Sequence, residues 1–357
     1  MSNIVVLTGG GTAGHVAPNL ALVPALQKQG YEVHYIGEKG GMEEGLAAAV
    51  PGVVFHPIHA GKLRRYFSLK NLRDAFRVVE GCRDANCIIR ALRPRVIFSK
   101  GGFVTVPVCR AGRKYGVPVV LHESDLTPGL ANRMSLKYAK KVLVTFEDTL
   151  PHTGGKGVYT GTPIRPELYE GDRARGLAFC GFSGEKPVLL VMGGSQGAQA
   201  VNEALWSVLP RLLTTFDVAH LCGKGKVNES LTGTPGYRQF EYVGPELKDV
   251  FAASAIALSR AGANSIFEFL ALALPALLVP LPRAQSRGDQ ILNARYFEKK
   301  GFALCLEQEE LTGESLLSSL FALYRGRERY RAAMKAEPNA DGTQAVLREI
   351  LSAAGEA

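Results

Sequence analysis

The sequence predicts an α/β protein of two Rossmann-like domains, each a doubly wound parallel sheet, facing one another across a cleft. Three observations carry this. Short apolar runs alternate with helical stretches along the chain. Two distant segments, "VVLTGGGTAGHVAPNLALVPAL" and "VLLVMGGSQGAQAVNEALWSVLP", repeat one design of strand, glycine turn and amphipathic helix. A turn-rich passage, "PHTGGKGVYTGTPIRPE", separates the two sets of runs and reads as the hinge. At 357 residues the chain is long enough for two domains with substantial cores.

In the first half the strand-like runs are "NIVVLT", "YEVHYIG", "RVIFSKG", "PVVLHES" and "KVLVTF". In the second they are "PVLLVMGG", "DVAHLCG", "RQFEYVG", "AIALSRAG" and "PALLVPLP". Runs of this kind suit strands covered by helices on both faces. The first run leads into a turn where Gly9, Gly11 and Gly14 match G-x-G-x-x-G. Backbone N–H groups at a helix start attract anions, so the turn suits a phosphate without saying whose; a tight turn that binds nothing is the alternative. "GGSQGAQ" places Gly193, Gly194, Ser195 and Gln196 at a second such helix start, and "SRAGANSIFEFLA" makes a third.

Composition narrows the function. Hydrophobic residues at 46% and charged residues at 21% describe an ordinary globular enzyme. The longest apolar stretch, "FEFLALALPALLVPLP", carries Glu268 and Pro275 and falls short of the roughly 18 residues a membrane span needs. The first residues enter a strand directly, without a signal-peptide pattern. Six scattered cysteines without a C-x-x-C pair point to reduced thiols and away from zinc. The net charge of +9 is uneven, because residues 62–141 hold eighteen Lys and Arg against five acidic residues. Nucleic acid is disfavoured, since no aromatic stacking platforms interleave these charges. "KLRRYFSLKNLRDAFR" mixes Leu63, Arg64, Arg65, Phe67, Leu72 and Phe76 and suits an anionic membrane surface, with a solvated basic helix face as the alternative.

Several side chains stand where chemistry is expected. His15 follows the first glycine turn, and a helix start favours its neutral, proton-accepting form; it is read as a general base, or else as a cap that bonds backbone. His122, Glu123, Asp125 and Asn132 cluster after "PVVL"; they line a cleft, or His122 is a buried donor and Glu123 a cap acceptor. Glu268 can accept the hydroxyls of a ribose, or can close an S-x-x-E capping box with Ser265. The chain contains no Asp-x-Asp, so a departing diphosphate would be met by amides, helix dipoles and Arg165 or Arg260 rather than by a metal.

"GGGTAGHVAPNLAL", "SKGGFVTVPV", "HESDLTPGLANR", "TGTPIRPEL", "GGSQGAQAVNEAL", "SRAGANSIFEFLAL" and "RGDQILNARYF" occur in this order over nearly the full length. The ordered set resembles the MurG family of bacterial glycosyltransferases. That resemblance implies the GT-B architecture, with an acceptor and membrane-associating domain at 1–162, a donor domain at 163–339 and a final helix, 340–357, returning to the first. It implies UDP-N-acetylglucosamine (UDP-GlcNAc) as donor and lipid I as acceptor, with no cofactor and no metal. Carried over by motif, Arg165 and Ser195 meet the diphosphate, Val243 offers backbone to the uracil, and Ala263, Asn264 and Ser265 line the phosphates. Glu268 holds the ribose, while Gln290 and Asp289 read sugar hydroxyls. Thr12, Gly14 and His15 face the reacting centre near Glu123, Asp125 and Asn132, and Gly10, Gly11, Gly101 and Gly102 hold the acceptor pyrophosphate. The chain departs from the usual family pattern at Asp125, Asn264 and Asp289.

The expected reaction is an inverting transfer to the 4-hydroxyl of the muramyl sugar, with His15 as base and Glu123 or Asp125 as fallback. The expected location is the cytoplasmic face of the plasma membrane, held peripherally, with other wall-building proteins open as partners. Closure about Gly161–Pro166 accompanies donor binding. Two other classes are weighed. One is a nucleotide-sugar isomerase resembling UDP-GlcNAc 2-epimerase. The other is an NAD-dependent oxidoreductase using Gly9, Gly11, Gly14 and Glu38.

Overall fold

The computed structural model describes residues 3–61, 70–194, 197–286 and 288–356, with 70–76 as main chain only. The chain forms two compact units, Met1–Ile164 with Asp341–Ala357, and Arg165–Ala340. Seven strands build the first sheet: β1 (Ile4–Thr8), β2 (Glu32–Glu38), β3 (Val53–Ile58), β4 (Val96–Ser99), β5 (Val119–Glu123), β6 (Lys141–Val144) and β7 (Gly157–Tyr159). All pairings are parallel, in the order β3-β2-β1-β4-β5-β6-β7. The second unit repeats the plan with β8 (Val188–Met192), β9 (Asp217–Leu221), β10 (Tyr237–Phe240), β11 (Ser254–Ser259), β12 (Ala276–Leu278) and β13 (Ala303–Cys305). Its order is β10-β9-β8-β11-β12-β13. Each sheet therefore reverses direction of growth beside its first strand, the point where open α/β sheets leave a crevice at the strands' carboxyl ends.

The two expected parallel sheets are present, and ten of the thirteen strands coincide with the apolar runs. The other three, β3, β7 and β13, all lie at sheet edges. An edge strand is covered less completely and needs no continuous apolar run, so β3 tolerates exposed positions and Pro57 while β7 and β13 are only three residues long. This also corrects the reading of "PHTGGKGVYTGTPIRPE" as wholly hinge, because Gly157–Tyr159 inside it pairs with β6.

Apolar side chains from both faces of each sheet make the cores. One face of the first sheet gathers Val5, Leu7, Leu22, Leu26, Tyr35 and Phe98, and Val346, Leu347, Ile350 and Ala353 of the helix Thr343–Ala354 join that cluster. The last helix is thus an integral part of the first unit. Lys141 pairs with Glu349, and Glu356 receives both Arg95 at 2.9 Å and the Tyr31 hydroxyl at 2.5 Å. In the second unit the helices Gln199–Leu212 and Gly313–Lys335 supply Leu205, Leu209, Leu212, Leu316, Leu320 and Leu323.

Ile350 is fully buried, so Ile350→Ala should cost about 2–5 kcal/mol by leaving a cavity. The single tryptophan, Trp206, lies in the second unit. Urea unfolding should then move the far-UV circular dichroism transition to lower denaturant while the tryptophan fluorescence transition moves much less. Equal shifts of both signals would contradict the assignment of this helix to the first core.

Candidate active site

In the first unit three turns follow the adjacent strands β1, β4 and β5. The register Thr8↔Ser99 brings the first two level, and the Gly10 N–H donates to the Gly101 carbonyl at 3.3 Å. A Cβ on Gly102 would collide with the Gly10 carbonyl, and Gly101 and Gly102 adopt φ of +96° and +90°. Gly10 therefore spends its N–H within the protein. Among the described residues the N–H groups of Gly11 and Gly102 have no protein acceptor.

His15 lies in the first turn of the helix Ala13–Ala21, capped by Thr12. Its Nδ1 stands 3.0 Å from the Gly10 carbonyl and 3.3 Å from Thr12 Oγ1. A carbonyl only accepts, so this contact places the proton on Nδ1 and leaves the lone pair on Nε2. Gly14 is the second residue of the same helix, and Glu38 closes β2.

The turn after β5 is built around a buried carboxylate. Glu123, 5% exposed, accepts from the N–H groups of Asp125 at 3.1 Å and Gly129 at 3.0 Å and from Asn132 Nδ2 at 2.8 Å. Burial raises its pKa, and those donors pull it back. Three donors on two oxygens make Glu123 the organiser of the 123–132 turn. His122 is fully buried; its Nε2–H donates to the Gly161 carbonyl at 2.9 Å and its Nδ1 accepts from Lys100 Nζ at 2.8 Å. It takes the second of its two readings, a structural donor.

Two residues here were missed from sequence. Lys100, in "SKGGFVTVPV", is 1% exposed, and burial pulls its pKa from 10.5 to about 7 against the opposing Glu123 and Asp125 charges. Glu43, fully buried, accepts from the Glu38 N–H at 2.9 Å and occupies the space that a side chain on Gly10 would need. A lone Lys before a glycine pair was a usable signal for the first. Nothing in "GMEEG" marks the second.

In the second unit a cavity of about 660 Å³ opens at the carboxyl ends of β8 and β11, lined among others by Gly193, Gly194, Arg260, Ser265 and Gln290. Ser195 and Gln196 lie outside the described residues. Lys226, absent from the sequence reading, also lines the cavity and donates to the Gly197 carbonyl at 3.3 Å; "GKGK" after a strand was the signal. Arg260 lines it with its guanidinium committed, to the Val279 carbonyl at 3.0 Å, the Pro280 carbonyl at 3.2 Å and Gln308 Oε1 at 2.6 Å. Gln290 Oε1 accepts from the Leu281 N–H at 3.1 Å, and Asp289 opens the helix Asp289–Lys299.

Arg165 and Glu268 pair instead, Nε to Oε1 at 2.9 Å. Burial lowers Arg165 and raises Glu268, and each charge works against the shift of the other, so that Arg165 ends above its ordinary value and Glu268 still above its own. The helix Ala263–Ala271 is capped by Gly262, which excludes the S-x-x-E capping box: Ser265 is its third residue and makes no cap. Ala263 is buried, Asn264 half-buried, and Val243 follows β10 with 3% exposure.

Two parallel sheets of one strand order, each carrying glycine turns at the carboxyl ends of its central strands, define the GT-B class of glycosyltransferases. The chain belongs to glycosyltransferase family 28, matching the family's N-terminal domain over residues 5–144 and its C-terminal domain over 188–348. A protein of Geobacillus thermodenitrificans (strain NG80-2) named UDP-N-acetylglucosamine--N-acetylmuramyl-(pentapeptide) pyrophosphoryl-undecaprenol N-acetylglucosamine transferase is 50% identical over 355 residues, 99% of this chain and all of its own. A Clostridium tetani (strain Massachusetts / E88) protein of the same name is 52% identical over 336 residues, 94% of each chain. The crystal structure of Acinetobacter baumannii MurG aligns with a TM-score of 0.75 at 26% identity, covering 98% of this chain and 99% of that one.

Lys100 gives the site a pH signature. The unfolded chain keeps its lysine protonated up to about pH 10.5 while the folded protein releases that proton near pH 7, so stability rises with pH across this window. The difference in unfolding free energy between wild type and Lys100→Met should grow by up to about 1.4 kcal/mol per pH unit between pH 7 and 10. Urea titrations at four pH values test it, and a flat difference would mean the ammonium is not confined as described.

Proposed function

We propose that this protein transfers N-acetylglucosamine from UDP-GlcNAc to the 4-hydroxyl of the muramyl sugar of lipid I, forming lipid II for peptidoglycan. The observation that carries this is 50% identity to a transferase so named across 99% of this chain and the whole of that one. The first unit takes the acceptor, its pyrophosphate against the N–H groups of Gly11 and Gly102. The second takes the donor, its diphosphate in the cavity lined by Gly193, Gly194, Lys226 and Ser265, and we assign Ser195, Ala263 and Asn264 to the same phosphates. Glu268 holds the ribose, Val243 meets the uracil through backbone, and Gln290 with Asp289 reads the sugar.

In the transfer the acceptor O4 attacks the anomeric carbon from the face opposite UDP and gives its proton to His15 Nε2. The bond from that carbon to the diphosphate oxygen breaks with its electron pair on UDP, and the configuration inverts to β. Fixed amides and Lys226 stabilise the departing charge, and this is the larger catalytic demand. The Nδ1 contact with Gly10 supports His15 as base, because in the neutral ring it puts the proton on Nδ1 and leaves Nε2 as the acceptor. Asp125 is the remaining alternative, since Glu123 is engaged by three donors.

The acceptor carries a polyprenyl chain, so the enzyme works at a membrane surface. We assign peripheral attachment at the cytoplasmic face to the basic apolar segment around Leu63–Phe76. Of it, Leu63, Arg64, Arg65 and Phe67 lie outside the described residues, as do the side chains of Leu72 and Phe76. No helix among the described residues is long and apolar enough to cross a membrane. Cations near an anionic surface contribute roughly 1 kcal/mol each.

His15→Ala should lower kcat by about 10²–10⁴ with little change in either KM, read by UDP release with a short-chain lipid I analogue. UDP-GlcNAc without acceptor should not turn over; epimerised product in that control would favour the isomerase reading. Sedimentation with vesicles should increase with anionic lipid and fall with salt, and binding indifferent to both would remove the electrostatic attachment.

A further inference from the structure

The mechanism above leaves Lys100 unused, yet burying an ammonium is costly unless its partners are well placed. Its Nζ donates to His122 Nδ1 at 2.8 Å and to Thr162 Oγ1 at 3.3 Å. His122 in turn donates to the Gly161 carbonyl at 2.9 Å. Both contacts end on the segment by which the chain leaves the first unit, whose last residue is Ile164.

The returning chain meets the same segment. The Gly342 N–H donates to the Thr162 carbonyl at 2.9 Å, and the Ile164 N–H donates to Thr343 Oγ1 at 3.0 Å. A Cβ on Gly342 would stand 2.6 Å from the Thr162 nitrogen, so only glycine lets the two strands of chain lie this close. Exit and return are thus bonded to each other, and Lys100 and His122 bond the exit to the ends of β4 and β5.

Those strand ends carry the acceptor turns. Gly101 and Gly102 follow Lys100 directly, and Asn132 Nδ2 donates to the His122 carbonyl at 3.1 Å as well as to Glu123. We infer that the Lys100–His122 pair is a positioning device for the transfer: it fixes the exit segment Gly161–Ile164 against the second glycine turn. The donor unit begins at the next residue, Arg165, so the pair ties down the last stretch of chain that the first unit contributes before it.

A lysine amine suits this task because even after losing its extra proton it keeps two N–H donors, one for His122 and one for Thr162. Glu123 on β5 and Asp125 beyond it are the charges that face it. An apolar side chain of similar length would fill the space without the burial cost and would leave the exit segment untied. Neither Lys100 nor His122 touches the reacting atoms; both act through Gly161 and Thr162. The inference rests on the proposed transfer reaction.

The test is steady-state kinetics of UDP release with a short-chain lipid I analogue, together with calorimetric binding of UDP. Lys100→Met should lower kcat about tenfold while the acceptor KM and the UDP Kd stay within twofold. Thr162→Val, an isosteric change that removes one acceptor, should lower kcat about threefold. The double variant should be no slower than Lys100→Met alone, because both act through one link. Unchanged kcat in either folded variant would overturn the inference. So would additive losses, or a raised acceptor KM at constant kcat, which would confine Lys100 to shaping the acceptor turn. If Lys100→Met does not fold, the kcat of Thr162→Val decides alone. Failure of wild type itself to release UDP would instead overturn the proposed reaction.

Discussion

The first unit is organised by a contact between two backbones. Gly10 and Gly102 touch with no room for a side chain, and the Gly10 N–H is bonded to the Gly101 carbonyl. Such a contact requires β1 and β4 to be neighbours, parallel and level, which is what the reversal point of the sheet supplies. From it follow the Gly10 carbonyl that meets His15 Nδ1 and the position of Lys100 directly before the second glycine turn. One steric constraint therefore shapes both the first glycine turn and the contact that orients the His15 ring.

The second unit solves a related problem with different parts. Its cavity offers amides at a glycine turn, a helix start at Ala263 and the cation of Lys226. Arg260 serves the wall, tying the segment after β12 to Gln308, and so shapes the cavity more than it charges it. Arg165 and Glu268 hold each other's charge in a half-buried pair. Each charge is thereby kept partnered where an unpaired one would be costly to bury.

Buried polar groups are concentrated where function is proposed. Glu43, Lys100, His122, Glu123 and Asn132 are all under a tenth exposed; Lys100, His122 and Glu123 lie in or just after β4 and β5, Asn132 on the helix after β5 and Glu43 on the helix after β2. Each forgoes the stability an apolar residue would bring at that position. What they provide in return is a turn geometry that packing alone would leave loose, as the three donors converging on Glu123 illustrate.

The sequence by itself determined the parallel α/β class, the central strands and the glycine turns, because a strand buried on both faces must be apolar throughout and a tight strand-to-helix turn needs glycine. It also marked Glu123 at a strand end and His15, Ser265 and Glu268 at helix starts after glycine turns, while Gln290 came through the family resemblance. Only tertiary structure decided what those groups do. That Arg260 faces carbonyls, that Arg165 meets Glu268 across 103 residues and that Lys100 is buried against His122 are matters of long-range juxtaposition, whereas Glu123 is consumed within its own turn. Three of the four edge strands, β3, β7 and β13, escaped for the reason that half-exposed backbone pairing leaves almost no hydrophobic pattern to read. Periodicity records what a residue's own segment must bury, whereas the partner of a charged side chain is chosen by the fold.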